Sequence, residues 1–247
     1  MSYVRGRVVS IKRWNNTLYS LIVEPPQPLA FTPGQYTKLA VEVDGELLAR
    51  PYTITSAPGE DRLEFFLVEV NDGPLSHRLG RLSPGDELLI DSRAHGYLVL
   101  QETPQVADIW LLATGAGLAP FLSMLREGSI FSRHQRVALV QSVRYAADLA
   151  YAEELRVLTK CKSSLRHIRL VSRDTPPPGC LSGRITTRLA EGGLEQAAGM
   201  TLDKANSHLM LCGNPGMVED TLRLLEERGM RRHRRRRPGQ ITLEKFW

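Results

Sequence analysis

The stretch IWLLATGAGLAPFLSML, Ile109 to Leu125, runs for 17 residues without a charge. It is short for a membrane span, and Gly115, Gly117 and Pro120 stand in its middle. It reads instead as a buried strand, a glycine turn and the start of a helix. The alternation continues downstream. RVALVQSV (136–143), LRHIRLVSR (165–173) and SHLMLCG (207–213) have the texture of strands. ADLAYAEELRVLTK (147–160), GRITTRLAEGGLEQA (183–197) and GMVEDTLRLLEERG (216–229) have helical spacing. Strand and helix in alternation predict a parallel sheet with helices on both faces.

Upstream the texture differs. RVVSIKRW, LYSLIVE, QYTKLAVEV, PYTITSA, LEFFLVEV and DELLIDSR are short apolar or β-branched runs, and turn formers such as TPG, VDGE, APGED and SPGD separate most of them. Regular short strands with turn punctuation predict a closed antiparallel barrel or a sandwich, and the chain is read as the barrel. The expected architecture is therefore two-domain: a β-barrel over residues 1–101, then an α/β parallel-sheet nucleotide-binding domain over residues 102–247. A chain of 247 residues has room for both.

Composition narrows the chemistry. Cys161, Cys180 and Cys212 are three and widely spaced, which argues for reduced thiols in the cytoplasm and leaves too few for an iron–sulfur cluster. The six histidines show no H-E-x-x-H or similar spacing, so no metal site is expected. The opening SYVRGRVVSIKRW lacks the apolar core of a leader peptide.

Several segments suit a nucleotide or a flavin. TGAGLAP (114–120) follows an apolar strand; its glycines admit a close ligand and the next helix offers free N–H groups, although a plain tight turn has the same pattern. Strand 136–143 leads into Arg144 with no acidic residue to hold a ribose hydroxyl. Arg144, Arg173 and Arg184 all fall in loops after strands, which favours a 2′-phosphate and hence NADP over NAD. LCGNPGM (211–217) sits where a late strand meets its helix. In the barrel half, GPLSHRL (73–79) opens a short helical pattern whose first N–H groups suit a pyrophosphate, with Ser76 and Arg78 assisting; a structural cap is the alternative. In RPYTITS (50–56), Arg50 and Tyr52 share a parity. A flavin ring needs an aromatic flank, a donor near its N5 and a cation near its phosphate, which Tyr52, Thr53 and Arg50 would supply. An edge strand carrying Pro51 and an arginine–acid pair is the alternative.

FTPGQYT, RPYTITS, GPLSHRL, TGAGLAP, CGNPGM and the ending RRRRPGQITLEKFW occur in one order. Together they resemble the bacterial ferredoxin (flavodoxin)–NADP reductase family over nearly the whole chain. The resemblance implies an FAD-dependent oxidoreductase that passes electrons between NADPH and ferredoxin or flavodoxin. It implies FAD at Arg50, Pro51, Tyr52, Thr53, Val68, Gly73, Leu75, Ser76, Thr114 and Trp247, with NADP at Gly115, Gly117, Arg144, Arg173, Arg184, Asn214 and Met217. Tyr52, Thr53 and Cys212 would stand at the reacting rings, and the C-terminal tail would return to the FAD. Plant-type members end in a tyrosine over the flavin, whereas this chain ends EKFW.

The formal net charge is +5, and much of the excess lies in RRHRRRR (231–237). Arg231, Arg234, Arg235, Arg236 and Arg237 would form a basic docking face for an acidic electron carrier. A solvated basic face or nucleic-acid binding are the other readings of such a run. The expected protein is a cytoplasmic monomer. A related reductase of free flavin or of an oxygenase, or a non-enzymatic nucleotide- or nucleic-acid-binding protein on the same fold, are its rivals.

Overall fold

The computed structural model describes residues 2–70 and 73–246. They form two compact units: residues 1–99 with 119–127, and residues 100–118 with 128–247.

The first unit is built on β1 (Tyr3–Arg13), β2 (Leu18–Glu24), β3 (Tyr36–Val43), β4 (Glu46–Thr53), β5 (Leu63–Val68) and β6 (Glu87–Asp91). The strands lie in the order β4-β3-β6-β1-β2-β5, every pair antiparallel. An antiparallel bridge between Ile54 and Phe65 joins the two outer strands, so the sheet closes on itself. The expected strand at 51–57 begins earlier, at Glu46. Asp44 and Gly45 both take positive φ, 51° and 80°, and two such residues make the tight hairpin turn that pairs β3 with β4. Inside lie Tyr19, Leu21, Leu39, Phe65, Leu67 and Ile90. Helix α1 (Pro74–Leu79) adds Leu75 and Leu79 to this core. They are four residues apart and so share one face of the turn, and each contributes about 2 kcal/mol by burial. Helix α2 (Ala119–Glu127) packs in this unit too: Ser123 Oγ donates to Ser56 O at 2.7 Å, and Arg126 pairs with Glu64 at 2.6 Å.

The second unit carries β7 (Asp108–Thr114), β8 (Arg136–Val143), β9 (Leu165–Val171), β10 (Leu181–Ser182), β11 (Ser207–Gly213) and β12 (Ile241–Lys245). All pairs are parallel, in the order β10-β9-β8-β7-β11-β12. Helices α3 (Ile130–Arg133), α4 (Ala152–Cys161), α5 (Ile185–Ala190), α6 (Gly193–Ala198) and α7 (Pro215–Glu227) connect them. The central strands β7, β8 and β11 are buried nearly end to end, which explains their continuous apolar runs. Two details depart from the sequence reading. The expected helix 183–197 is two helices, because Gly192 takes the left-handed conformation (φ 74°) and ends the first. The segment ITLEK, read as a tail, is the sheet's sixth strand and pairs with the free edge of β11.

No helix among the described residues is long and apolar enough to cross a membrane.

Candidate active site

In the second unit, successive strands from β7 to β10 step one way across the sheet, and β11 and β12 step the other way. The reversal falls between β7 and β11. Ligands of open parallel sheets bind beyond the carboxyl ends of the strands at such a point. Those ends are Thr114 and Gly213, and they are locked together: the Asn214 N–H donates to Thr114 Oγ1 at 2.9 Å. Asn214 caps α7, its side chain accepting from the Met217 N–H at 3.2 Å. Gly115 opens a 3₁₀ turn (Gly115–Leu118) with nothing within 4 Å of where a Cβ would stand, so its surface is open to a ligand. Gly117 is the opposite case. A Cβ there would lie 2.5 Å from the Cys212 carbonyl carbon, so the two loops touch backbone to backbone.

Arg144, Arg173 and Arg184 occupy the loops after β8, β9 and β10. The Arg173 N–H donates to Arg144 O at 2.8 Å, which joins the first two loops. All three side chains are exposed, and among the described residues none is ion-paired. Exposed cations with no internal partner, beside a strand end lacking an acid, fit a phosphate-bearing nucleotide.

In the first unit, Arg50 and Tyr52 lie on one face of β4, opposite Leu39 and Thr37 of β3. Arg50 is exposed, its guanidinium donating to Ala49 O at 2.8 Å. Tyr52 packs on the barrel core with part of its ring exposed, and burial pushes its phenol up to about 12 despite the nearby Arg50. Pro51 is exposed, Thr53 is 6% exposed, and Val68 is the half-buried last residue of β5. Gly73 precedes α1; no side chain caps that helix and no acid stands in its first turn, while the Glu69 carboxylate beside it is engaged by His77 and Arg13. An open groove of about 720 Å³ runs alongside, lined by Val41, Glu42, Gly73, Pro74, His77, Arg78, Arg81 and Leu82, with two arginines against one glutamate. A cationic groove beside an aromatic strand fits a flavin dinucleotide. Trp247 lies outside the described residues.

Two family descriptions match in chain order: an oxidoreductase FAD-binding domain over residues 8–94 and an oxidoreductase NAD-binding domain over residues 111–223. Over 247 residues the chain is 45% identical to the flavodoxin/ferredoxin–NADP reductase of Escherichia coli (strain K12) and 46% identical to that of Shigella flexneri, with 99% of each chain covered. The chain belongs to the flavodoxin/ferredoxin–NADP reductase family. A crystal structure of a ferredoxin NADP+ reductase from Neisseria gonorrhoeae with bound FAD and NADP matches it at TM-score 0.95 and 33% identity, over 99% of both chains. The protein is thus an oxidoreductase and flavoprotein with an FAD-binding and an NADP-binding domain.

The reductase also has a residue at this sheet edge that its sequence did not single out. Glu244 of β12 stands in register with Cys212 of β11. Burial pushes its carboxyl up to about 7. Burial, with Glu244 adding to it, also holds the Cys212 thiol well above its ordinary range. Cys212 is therefore held as a neutral thiol rather than a thiolate. The native state binds the Glu244 proton more tightly than the unfolded chain, whose carboxyl titrates near about 4.3. Glu244 accordingly favours the fold at acid pH, and that contribution is lost as pH rises through about 7. Glu244→Gln is expected to exceed the parent protein's unfolding free energy by only about 1 kcal/mol at pH 5 and by on the order of 3 kcal/mol at pH 8. Denaturant titrations at both pH values check this; an equal difference at both would contradict it.

His167 and His208 are held by burial at about 4 and about 3, so neither is poised as an acid or base near neutrality. Among the described residues no group of three His, Cys, Asp or Glu is placed to hold a metal ion.

Arg231, Arg234, Arg235, Arg236 and Arg237 are exposed on a tight hairpin closed by reciprocal backbone bonds between Arg234 and Arg237 at 2.8 and 3.0 Å. Arg235 is not a free charge, because Glu102 holds it at 2.5 Å.

Proposed function

We infer that this chain carries electrons between NADPH and ferredoxin or flavodoxin. The full-length likeness to reductases of that name carries the reading, and the arginine set beyond β8, β9 and β10 supports it from the chain's own residues. FAD, when bound, supplies the exchange of one hydride for two single electrons. The protein's part is to bind, orient and exclude water. Arg144, Arg173 and Arg184 hold the nucleotide's 2′-phosphate. Gly115, Gly117, Asn214 and Met217 shape the bed for its nicotinamide side, next to Thr114 and Cys212. Arg50, Pro51, Tyr52, Thr53, Val68, Gly73, Leu75 and Ser76 hold the flavin nucleotide, with Tyr52 against the ring and Thr53 toward its N5. Domain limits at residues 1–101 and 102–247 belong to the same reading. The test is NADPH-driven reduction of cytochrome c. It should appear only when ferredoxin or flavodoxin is added; activity with free flavin alone would favour a flavin reductase.

The carrier docks on the basic hairpin as to a monomer in the cytoplasm. Its exposed arginines attract an acidic partner, and three unpaired cysteines suit a reducing compartment. Neutralising Arg234, Arg236 and Arg237 is expected to slow carrier reduction at low salt by about tenfold and to flatten its salt dependence. Arg235→Ala should do less, since Glu102 already balances that charge. A salt slope unchanged in the triple variant would remove the docking role.

A further inference from the structure

Three side chains from outside it, Tyr19, Arg13 and Glu69, grip the segment Gly73–Gly80. The Tyr19 hydroxyl, in a residue with no solvent exposure, donates to Ser76 O at 2.5 Å. Ser76 Oγ accepts from the Val70 N–H at 3.1 Å and donates to Gly73 O at 3.3 Å, so the hydroxyl is spent inside the turn. Glu69 meets His77 Nδ1 at 2.5 Å through one oxygen and Arg13 at 3.1 Å through the other. Arg13 then donates to Gly80 O at 2.7 Å, and its guanidinium lies 5.3 Å from the Tyr19 ring centroid. The turn is thus tied near its start, in its middle and at its end to residues of β1 and β2 and to the segment that follows β5.

So many ties exceed what a six-residue helix needs, because Leu75 and Leu79 already anchor it in the core. They do fix the orientation of the backbone at Leu75 and Ser76. We propose that Tyr19, Arg13 and Glu69 are positioning residues for the cofactor's diphosphate: they hold the Leu75–Ser76 backbone in the direction in which it meets that group. The inference rests on the reading of this segment as part of the FAD site. A brace set before binding spares the ordering of the turn when the ligand arrives.

The discriminating ligand is riboflavin, which shares the flavin ring and lacks the diphosphate. The full-length protein, stripped of flavin, is titrated with FAD and with riboflavin, following flavin fluorescence. Tyr19→Phe keeps the buried ring and removes only the hydroxyl. It should weaken FAD by about tenfold, the worth of one hydrogen bond, and leave riboflavin unchanged. Glu69→Gln keeps the shape of the side chain and should act in the same direction, guarding against a variant that fails to fold. FAD affinity unchanged in both variants, or an equal loss for FAD and riboflavin, would overturn the proposal. Failure of the unsubstituted protein to bind FAD would instead overturn the FAD site itself, and the brace with it.

Discussion

Replacing Arg144 and Arg184 together with alanine is expected to weaken NADPH binding by about a thousandfold and NADH binding by little. Each guanidinium is exposed, free of ion pairs among the described residues, and carried on a loop beyond a strand of the second sheet. A charge-assisted hydrogen bond to phosphate is worth about thirtyfold, and two such contacts multiply. The two nucleotides differ only by the 2′-phosphate, so the comparison removes any general effect on folding or on the nicotinamide. Single substitutions should each give about thirtyfold. Arg173, joined to Arg144 through the backbone, should behave in the same way. Titration of both nucleotides decides the matter, and equal losses would contradict the assignment of these arginines.

Gly117→Ala should be a strongly damaging single-methyl change in the second unit. The added carbon would lie 2.5 Å from the carbonyl carbon of Cys212 and 2.7 Å from Gly213 Cα. Both are backbone atoms, so no rotamer change relieves the clash and the β7 and β11 loops must part. Overpacking of this kind costs about 3 kcal/mol, which for a chain of this size lowers Tm by roughly 6–12 °C. Gly115→Ala is the control. Its φ of 53° disfavours a side chain, but nothing stands within 4 Å, so the cost should be about 1 kcal/mol. Melting curves with and without NADPH should show Gly117→Ala both less stable and less protected by nucleotide. Equal effects of the two substitutions would show that the loops do not depend on this close approach.

Legibility in the sequence followed the range of the interactions. The strands β7, β8 and β11 announce themselves because both their faces are buried and the local sequence must be apolar throughout. The glycine turns and the arginines after the strands are local too, and the topology then sets those arginines along one edge of the sheet. What depends on distant partners was hidden. The ITLEK segment has too little apolar surface to declare itself a strand, and only its pairing with β11 places Glu244 beside Cys212. The grip of Tyr19 on Ser76 spans 57 positions, and that of Glu102 on Arg235 spans 133. Helix α2 was readable as a helix, but periodicity cannot say against which unit it packs.

The most direct measurement mixes the FAD-loaded protein with NADPH in the absence of oxygen and follows the yellow flavin band, then adds oxidised ferredoxin or flavodoxin. The band should bleach with one equivalent of NADPH, far more slowly with NADH, and return as two equivalents of the carrier are reduced. A band that NADPH leaves unchanged, or a bleached flavin that neither carrier reoxidises, would contradict electron transfer between NADPH and these proteins.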